Sequence, residues 1–147
     1  MRIRSALPTE ASILSDLAFR SKSHWPYDKS ALNEYRTELE VFTEDILADS
    51  VYVAEKDNQI IGFYGLSSDL KKERLYFLFV EPTHISKGVG KALWNHALSN
   101  ARDRGWTALS FYADGYAFEA FYKFQGCRIV GSLHTPLGSL TEMAVQL

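Results

Sequence analysis

Apolar residues alternate with polar ones at the start of the chain and then follow a helical period as far as residue 48. Met1–Leu7 alternates and predicts a first strand that ends at Pro8. Thr9 is placed to cap a helix, with Glu10 in its first turn and Ile13, Leu14, Leu17 and Ala18 at helical spacing. Ser23-His24-Trp25-Pro26-Tyr27-Asp28 breaks that helix. A second helix is expected from Lys29 to Leu39, with Leu32, Tyr35 and Leu39 on one face, and a short third from a Thr43 cap to Ala48.

Strands then dominate. Val51-Tyr52-Val53-Ala54 and Ile60-Ile61-Gly62-Phe63-Tyr64 flank Asp57-Asn58, a hairpin turn. Leu75-Tyr76-Phe77-Leu78-Phe79-Val80 is almost wholly apolar, which predicts a strand buried on both faces. A long helix follows to Arg104, with Val89, Leu93, Ala97 and Ala101 on one stripe, Trp94 and Leu98 beside it, and Gly105 as its C-cap. Ala108–Ala113 is another strand, Tyr116–Phe124 a short helix, and Arg128–Leu133 and Leu140–Val145 closing strands. The order βαα(α)βββαβαββ predicts an α/β protein with a mixed, mostly antiparallel central sheet and flanking helices.

Composition narrows the classes. The 147 residues suit one compact domain over 1–147. A formal net charge of −2 argues against a general nucleic-acid binder, which carries a basic face. Cys127 is the only cysteine, so an internal disulfide and a Cys-based zinc site are excluded, and no metal is expected. Met1-Arg2-Ile3-Arg4-Ser5 opens on no apolar leader, and no run approaches the ~18 apolar residues of a membrane span. A soluble, cytoplasmic protein with no membrane partner is the expectation. The aromatic-rich surface allows a homodimer.

Ser86-Lys87-Gly88-Val89-Gly90-Lys91 lies between the apolar strand and the amphipathic helix. A helix N-terminus offers unpaired N–H groups and partial positive charge to a phosphate. Gly88 and Gly90 lack Cβ atoms and let an anion approach the backbone; Lys87 and Lys91 add charge. The plain account is a helix start with two flexible glycines. Walker A is excluded, because Ile85 stands at its first glycine and Ala92 at its Ser/Thr. The dinucleotide fingerprint fails at Leu93, where its third glycine belongs.

The segment from Leu78 to Leu93 instead resembles the acyl-CoA pyrophosphate loop of the GNAT N-acetyltransferase superfamily, (Gln/Arg)-x-x-Gly-x-(Gly/Ala) between strand and helix. Ile85 replaces the usual Gln or Arg, and Ser86 stands where glycine is common. Asp114–Gly126 resembles the family's second motif, a helix carrying Phe121-Tyr122, with departures at Gly115, Phe118 and Gln125-Gly126-Cys127. The resemblance covers essentially the whole chain.

What it implies is acetyl transfer from acetyl-CoA to an amine, of a small molecule or a peptide, by direct attack. Pantetheine would lie in a gap between the fourth and fifth strands, with Leu78, Phe79 and Val80 along it. Ser86, Lys87, Gly88, Val89, Gly90 and Lys91 would hold the pyrophosphate. The amide of Val80 would polarise the thioester carbonyl, and Tyr122 would protonate the leaving thiolate as general acid. His24, Trp25 and Tyr27 fall in the region that lines the acceptor site in the family. The base stays open among Glu81, His24, Asp114 and water, because Tyr76 and Phe77 occupy the strand positions where related proteins carry Glu or His. His84 and His96 are expected at the surface. Cys127 is expected to be a buried small hydrophobe, with no activating partner nearby. A non-catalytic acyl-CoA-binding module is the alternative.

Overall fold

The structure, a computed structural model, describes residues 1–115 and 126–147. The chain runs β1 (Arg2–Ser5), a 3-10 turn (Pro8–Glu10), α1 (Ala11–Ser23), α2 (Lys29–Tyr35), a second 3-10 turn (Arg36–Leu39) and α3 (Thr43–Leu47). It continues through β2 (Val51–Lys56), β3 (Gln59–Leu66), β4 (Leu75–Val80), a third 3-10 turn (Pro82–His84), α4 (Val89–Asp103), β5 (Ala108–Ala113), β6 (Arg128–Thr135) and β7 (Gly138–Gln146). The mixed α/β, mostly antiparallel architecture is as expected. Its strands fall into two antiparallel sheets, β1-β2-β3-β4 and β5-β7-β6, split between the fourth and fifth strands. Among the described residues, one parallel bridge between Arg74 and Ser110 joins them.

The β2–β3 hairpin turns at Asp57 and Asn58, both left-handed with φ of 52° and 62°. That geometry suits a two-residue turn, and short polar side chains tolerate it. The hairpin presents its two faces to two cores. Val51, Val53 and Phe63 pack with Leu14, Leu17 and Ala18 of α1. Ala54, Ile61 and Tyr64 pack with Leu93, Trp94, Ala97 and Ala101 of α4. The predicted stripe of α4 is the buried one. Gly62 lets this helix close on β3, for a Cβ there would lie 2.9 Å from Leu93 Cδ1, 3.0 Å from the Phe79 carbonyl oxygen and 3.2 Å from Val89 Cγ1.

Four local expectations are corrected. Thr9 is not a helix cap: it lies in the 3-10 turn, and α1 starts two residues later. Glu10 takes the capping role by accepting from the Leu7 N–H at 2.7 Å, while Arg4 donates to the same carboxylate at 2.8 and 3.0 Å. That guanidinium holds the Glu10 carboxyl below the usual carboxylate range. The second helix ends at Tyr35 and tightens into 3-10 as far as Leu39. Thr43 is the first residue of α3 rather than its cap.

β4 is the fourth. Leu75 is buried, but Tyr76 is 52 % exposed and Phe77, Leu78, Phe79 and Val80 are half-buried. Such a run predicts burial where both faces of the strand are covered, whereas β4 is the edge strand of its sheet among the described residues and opens on the gap between the sheets.

Gly62→Ala is expected to destabilise the fold by about 1–3 kcal/mol, since the new methyl must displace α4 or the Phe79 backbone. Urea unfolding checks this; a midpoint equal to that of the unsubstituted protein would refute the close-approach account.

Candidate active site

Past β4 the chain stays attached to β3, with the Glu81 N–H bonded to the Ile61 carbonyl at 2.8 Å. It then turns through Pro82–His84, extends at Ile85, and becomes left-handed at Ser86 (φ 66°) and Gly88 (φ 86°). The Ser86 position is where the family commonly has glycine, the residue best suited to positive φ. Ser86, Lys87 and Gly88 are exposed, and no heavy atom lies within 4 Å of a Cβ built on Gly88. α4 starts at Val89 with no side-chain cap. Its first intrahelical bond runs from the Ala92 N–H to the Gly88 carbonyl at 3.1 Å. The N–H groups of Val89, Gly90 and Lys91 therefore have no acceptor inside the helix. A Cβ on Gly90 would lie 3.6 Å from Val80 Cγ2, so the turn abuts the end of β4.

The edge of β4 completes the arrangement. In an antiparallel ladder, alternate pairs exchange backbone hydrogen bonds and the pairs between them point their N–H and C=O groups outward. The Glu81–Ile61 bond sets the phase. Phe79 pairs with Phe63 in the bonded class, whereas Val80 with Gly62 and Leu78 with Tyr64 fall in the outward class. The amides and carbonyls of Leu78 and Val80 thus face away from β3, towards β5. Phe79, expected to offer its backbone alongside Val80, directs it to Phe63 instead. Its ring packs against Phe63 on the α1 side.

β5 does not meet this edge. The two sheets touch where the Ser110 N–H bonds the Glu73 carbonyl at 3.1 Å and Arg74 reaches Ser110 Oγ at 3.4 Å and Glu142 at 2.8 Å. Beyond that point a cavity of about 350 Å³ opens between them. Leu75–Phe79 line one side, Phe111–Asp114 the other, and Lys22, Trp25, Tyr35 and Glu38 lie over it.

Of the three expected acceptor-site residues, Trp25 lines this cavity, while His24 and Tyr27 do not. His24 is exposed at the end of α1, edge-on to Trp25 at 4.9 Å. The Tyr27 ring lies against the Lys22 ammonium, 5.3 Å from its centroid. Of the candidate bases, His24 lies outside the cavity and both carboxylates are engaged. Glu81 accepts from Arg20 at 3.0 and 2.7 Å, and Asp114 accepts from Lys22 at 2.7 Å. Lys22, Tyr35, Glu38 and Tyr112 were missed by sequence reasoning, because nothing local marks a residue that meets its partners only across the fold. Tyr122, expected as the acid, lies outside the described residues, as does the whole of the expected helix from Tyr116 to Phe124.

Cys127 is half-buried just before β6, and burial pushes its thiol up to about 11, so it is a thiol at neutral pH. Among the described residues, no cluster of three or more His, Cys, Asp or Glu could hold a metal ion. Among them too, no helix is long and apolar enough to cross a membrane.

His84 is half-buried beside Thr83. His96, expected at the surface, is half-buried against Tyr52 and Tyr64. The buried Tyr64 hydroxyl accepts from Asn100 Nδ2 at 3.2 Å and lies 2.7 Å from His96 Nδ1. The hydroxyl donates to Nδ1 in the tautomer with its proton on Nε2 and accepts from Nδ1–H in the other.

An uncapped glycine turn thus lies beside an outward-facing strand edge, with a cavity at the mouth of a split α/β sheet. Comparison with known proteins gives the family. Residues 16–127 match the model of the acetyltransferase (GNAT) family, and the chain belongs to that family. It is 28% identical over 133 residues to the 5-NmdU N-acetyltransferase of Pseudomonas phage PaMx11, covering 88% of each chain. It is 31% identical over 112 residues to human (Homo sapiens) N-acetyltransferase 8B, covering 69% of this chain but 48% of that protein, so it spans about half the length of that relative. The fold is that of the PaiA N-acetyltransferase of Thermoplasma acidophilum, solved in complex with coenzyme A, with a TM-score of 0.83, 20% identity, and 99% and 98% of the two chains covered.

Burial holds the His96 imidazole below its ordinary range. Folded His96 binds its proton less readily than unfolded His96. Its contribution to stability is therefore complete above the unfolded value near ~6.5 and is lost as pH falls through the lower folded value. Unfolding midpoints between pH 8 and pH 5 should fall more steeply in the native chain than in His96→Asn. Parallel curves would contradict the buried-neutral assignment.

Proposed function

We propose that this protein transfers an acetyl group from acetyl-CoA to a primary amine of a small molecule or peptide by direct attack. The observation that carries this reading is the outward-facing edge of β4 running into the uncapped turn at Ser86–Lys91. Membership of the acetyltransferase family supports it. Acetyl-CoA supplies the activated thioester.

The chain's own residues divide the work. Val89, Gly90 and Lys91 offer free backbone N–H groups to the pyrophosphate, and the Lys87 and Lys91 ammonium groups add charge that attracts it. Leu78 and Val80 offer backbone hydrogen bonds to the pantetheine amides, as an added strand would take them. The Val80 N–H donates to the thioester carbonyl oxygen, where negative charge develops. Phe79 supplies packing rather than hydrogen bonds. Tyr122, assigned through the family resemblance, donates its phenolic proton to the departing sulfur. With Glu81 and Asp114 engaged by Arg20 and Lys22, and His24 outside the cavity, water carries the amine's proton to solvent.

The cavity also bears on the acceptor. Trp25, Tyr35, Tyr76 and Tyr112 give it aromatic walls. Lys22 is the only cation among its described lining residues, and Asp114 neutralises it. Glu38 leaves an excess of negative charge. The Tyr35 phenol is raised above its ordinary value, chiefly by burial and further by the charges of Glu38 and Asp114. Such a lining favours an amine acceptor that carries positive charge and an apolar body over an acidic one.

Calorimetry should detect acetyl-CoA binding that weakens in Lys87→Ala/Lys91→Ala and with added salt. A panel of amines assayed by thiol release should contain an acceptor. With that acceptor, Tyr122→Phe should lower kcat by about 100-fold while CoA affinity changes little. Tight acetyl-CoA binding with no thiol release from any amine would replace the enzyme reading with a cofactor-binding module.

A further inference from the structure

The last turn of α1 spans the open mouth of the cleft. Arg20 and Lys22 are two positions apart on one helix, so their side chains leave it in different directions. Arg20 pairs in bidentate fashion with Glu81, the residue that follows β4. Lys22 pairs at 2.7 Å with Asp114, the residue that follows β5. The first bond is largely solvated on the Arg20 side, whose side chain is 50% exposed. The second is enclosed, with side chains 11% and 12% exposed, and the Lys22 ammonium also lies 5.3 and 5.6 Å from the ring centroids of Tyr27 and Tyr35. The sheets are thus fastened twice: at the closed end through Arg74, Ser110 and Glu142, and at the open end through α1.

We propose that the Lys22–Asp114 ion pair is a positioning strut for catalysis, fixing the C-terminal end of β5 against β4 so that the acceptor wall and the Val80 amide stay in register. The inference rests on the acetyltransferase reading for its catalytic consequence. Its geometric part stands on the fold alone. An enclosed ion pair suits this task because it has one short geometry, and separating it strands a charge away from water. Neither residue belongs to the turn that would hold the pyrophosphate. Loss of the strut should therefore disturb the alignment of reacting groups rather than cofactor capture. Small misplacements of reacting groups are costly in rate.

Three variants test it: Lys22→Met, the double Lys22→Met/Asp114→Leu, which removes the pair without stranding a charge, and the conservative Lys22→Arg. With the acceptor found in the amine panel, kcat per folded molecule should fall on the order of 10–100-fold in the first two. KM for acetyl-CoA should stay within about threefold, and Lys22→Arg should recover most of the rate. In parallel, amide hydrogen exchange at Phe111–Ala113 should quicken by about tenfold in the double variant while exchange in β2 and β3 is unchanged. A double variant with the native kcat, or one whose defect lies in acetyl-CoA affinity, overturns the catalytic role. Unchanged exchange at Phe111–Ala113 overturns the strut itself. If the native protein neither binds acetyl-CoA nor releases thiol, the acetyltransferase reading fails, and the exchange experiment still decides whether the pair holds the cleft.

Discussion

Backbone hydrogen bonding between β4 and β5 stops at a single bridge, and the rest of the molecule is arranged around that interruption. A strand edge facing another strand ordinarily pairs with it, because unpaired amides and carbonyls away from water are costly. Here the pairing is made at Arg74 and Ser110 and then abandoned. Keeping the two sheets apart requires that the closed end be rigid. The segment between β3 and β4 supplies this rigidity. The Trp106 indole N–H bonds the Leu70 carbonyl at 2.8 Å, Arg104 bonds the Ser67 carbonyl at 2.8 Å, and the Thr107 N–H bonds the Glu73 carboxylate at 3.1 Å. The Arg74 guanidinium, stacked 4.4 Å from the Tyr112 ring centroid, closes the corner. The cleft is a wedge with a fixed apex, not a loose seam.

Two cores give the wedge walls to stand on. α1 and α4 cover opposite faces of the first sheet, each through its own apolar cluster. α4 crosses from the end of β4 to the start of β5, so its burial on β3 and β4 fixes where the second sheet begins. The absence of a side chain at Gly62 sets how close that helix lies. The same contact places the helix N-terminus beside Val80, because Gly90 and Val80 are near neighbours. A core packing distance thus becomes the spacing between an uncapped helix start and a strand edge. This is how a buried glycine in β3 bears on a site it does not touch.

Much of this could be read from residue order. The hairpin at Asp57-Asn58, the α4 stripe, the Gly105 cap and the bounds of β5 all have local causes: turn chemistry, helical period, alternation. The turn at Ser86–Lys91 was legible for the same reason. What could not be read depends on distant partners. Lys22 and Asp114 are 92 positions apart, and neither stands in a pattern that names the other. Glu10 displaces Thr9 as the cap because Arg4, itself bonded to Glu55, anchors its carboxylate. Trp25 rather than His24 reaches the cavity because α1 carries on through Ser23 and leaves His24 exposed at its end. β4 misled in an instructive way. Its apolar sequence is that of an interior strand, yet among the described residues no strand pairs with its second edge.

That last mismatch argues for the occupant. Three features that cost folding free energy lie in one line: outward backbone groups at Leu78 and Val80, a left-handed non-glycine at Ser86, and a helix start with no cap at Val89. Each is ordinarily avoided, and each has a simple remedy in sequence, such as a pairing strand, a glycine, or a Ser or Asp cap. A ligand that satisfied all three would need an extended amide-bearing stretch to run along β4, followed immediately by a doubly charged anion to sit on the turn. An inorganic phosphate would meet only the second demand, and a peptide strand only the first. An acylated pantetheine arm joined to a pyrophosphate meets both, in the order in which the chain presents them.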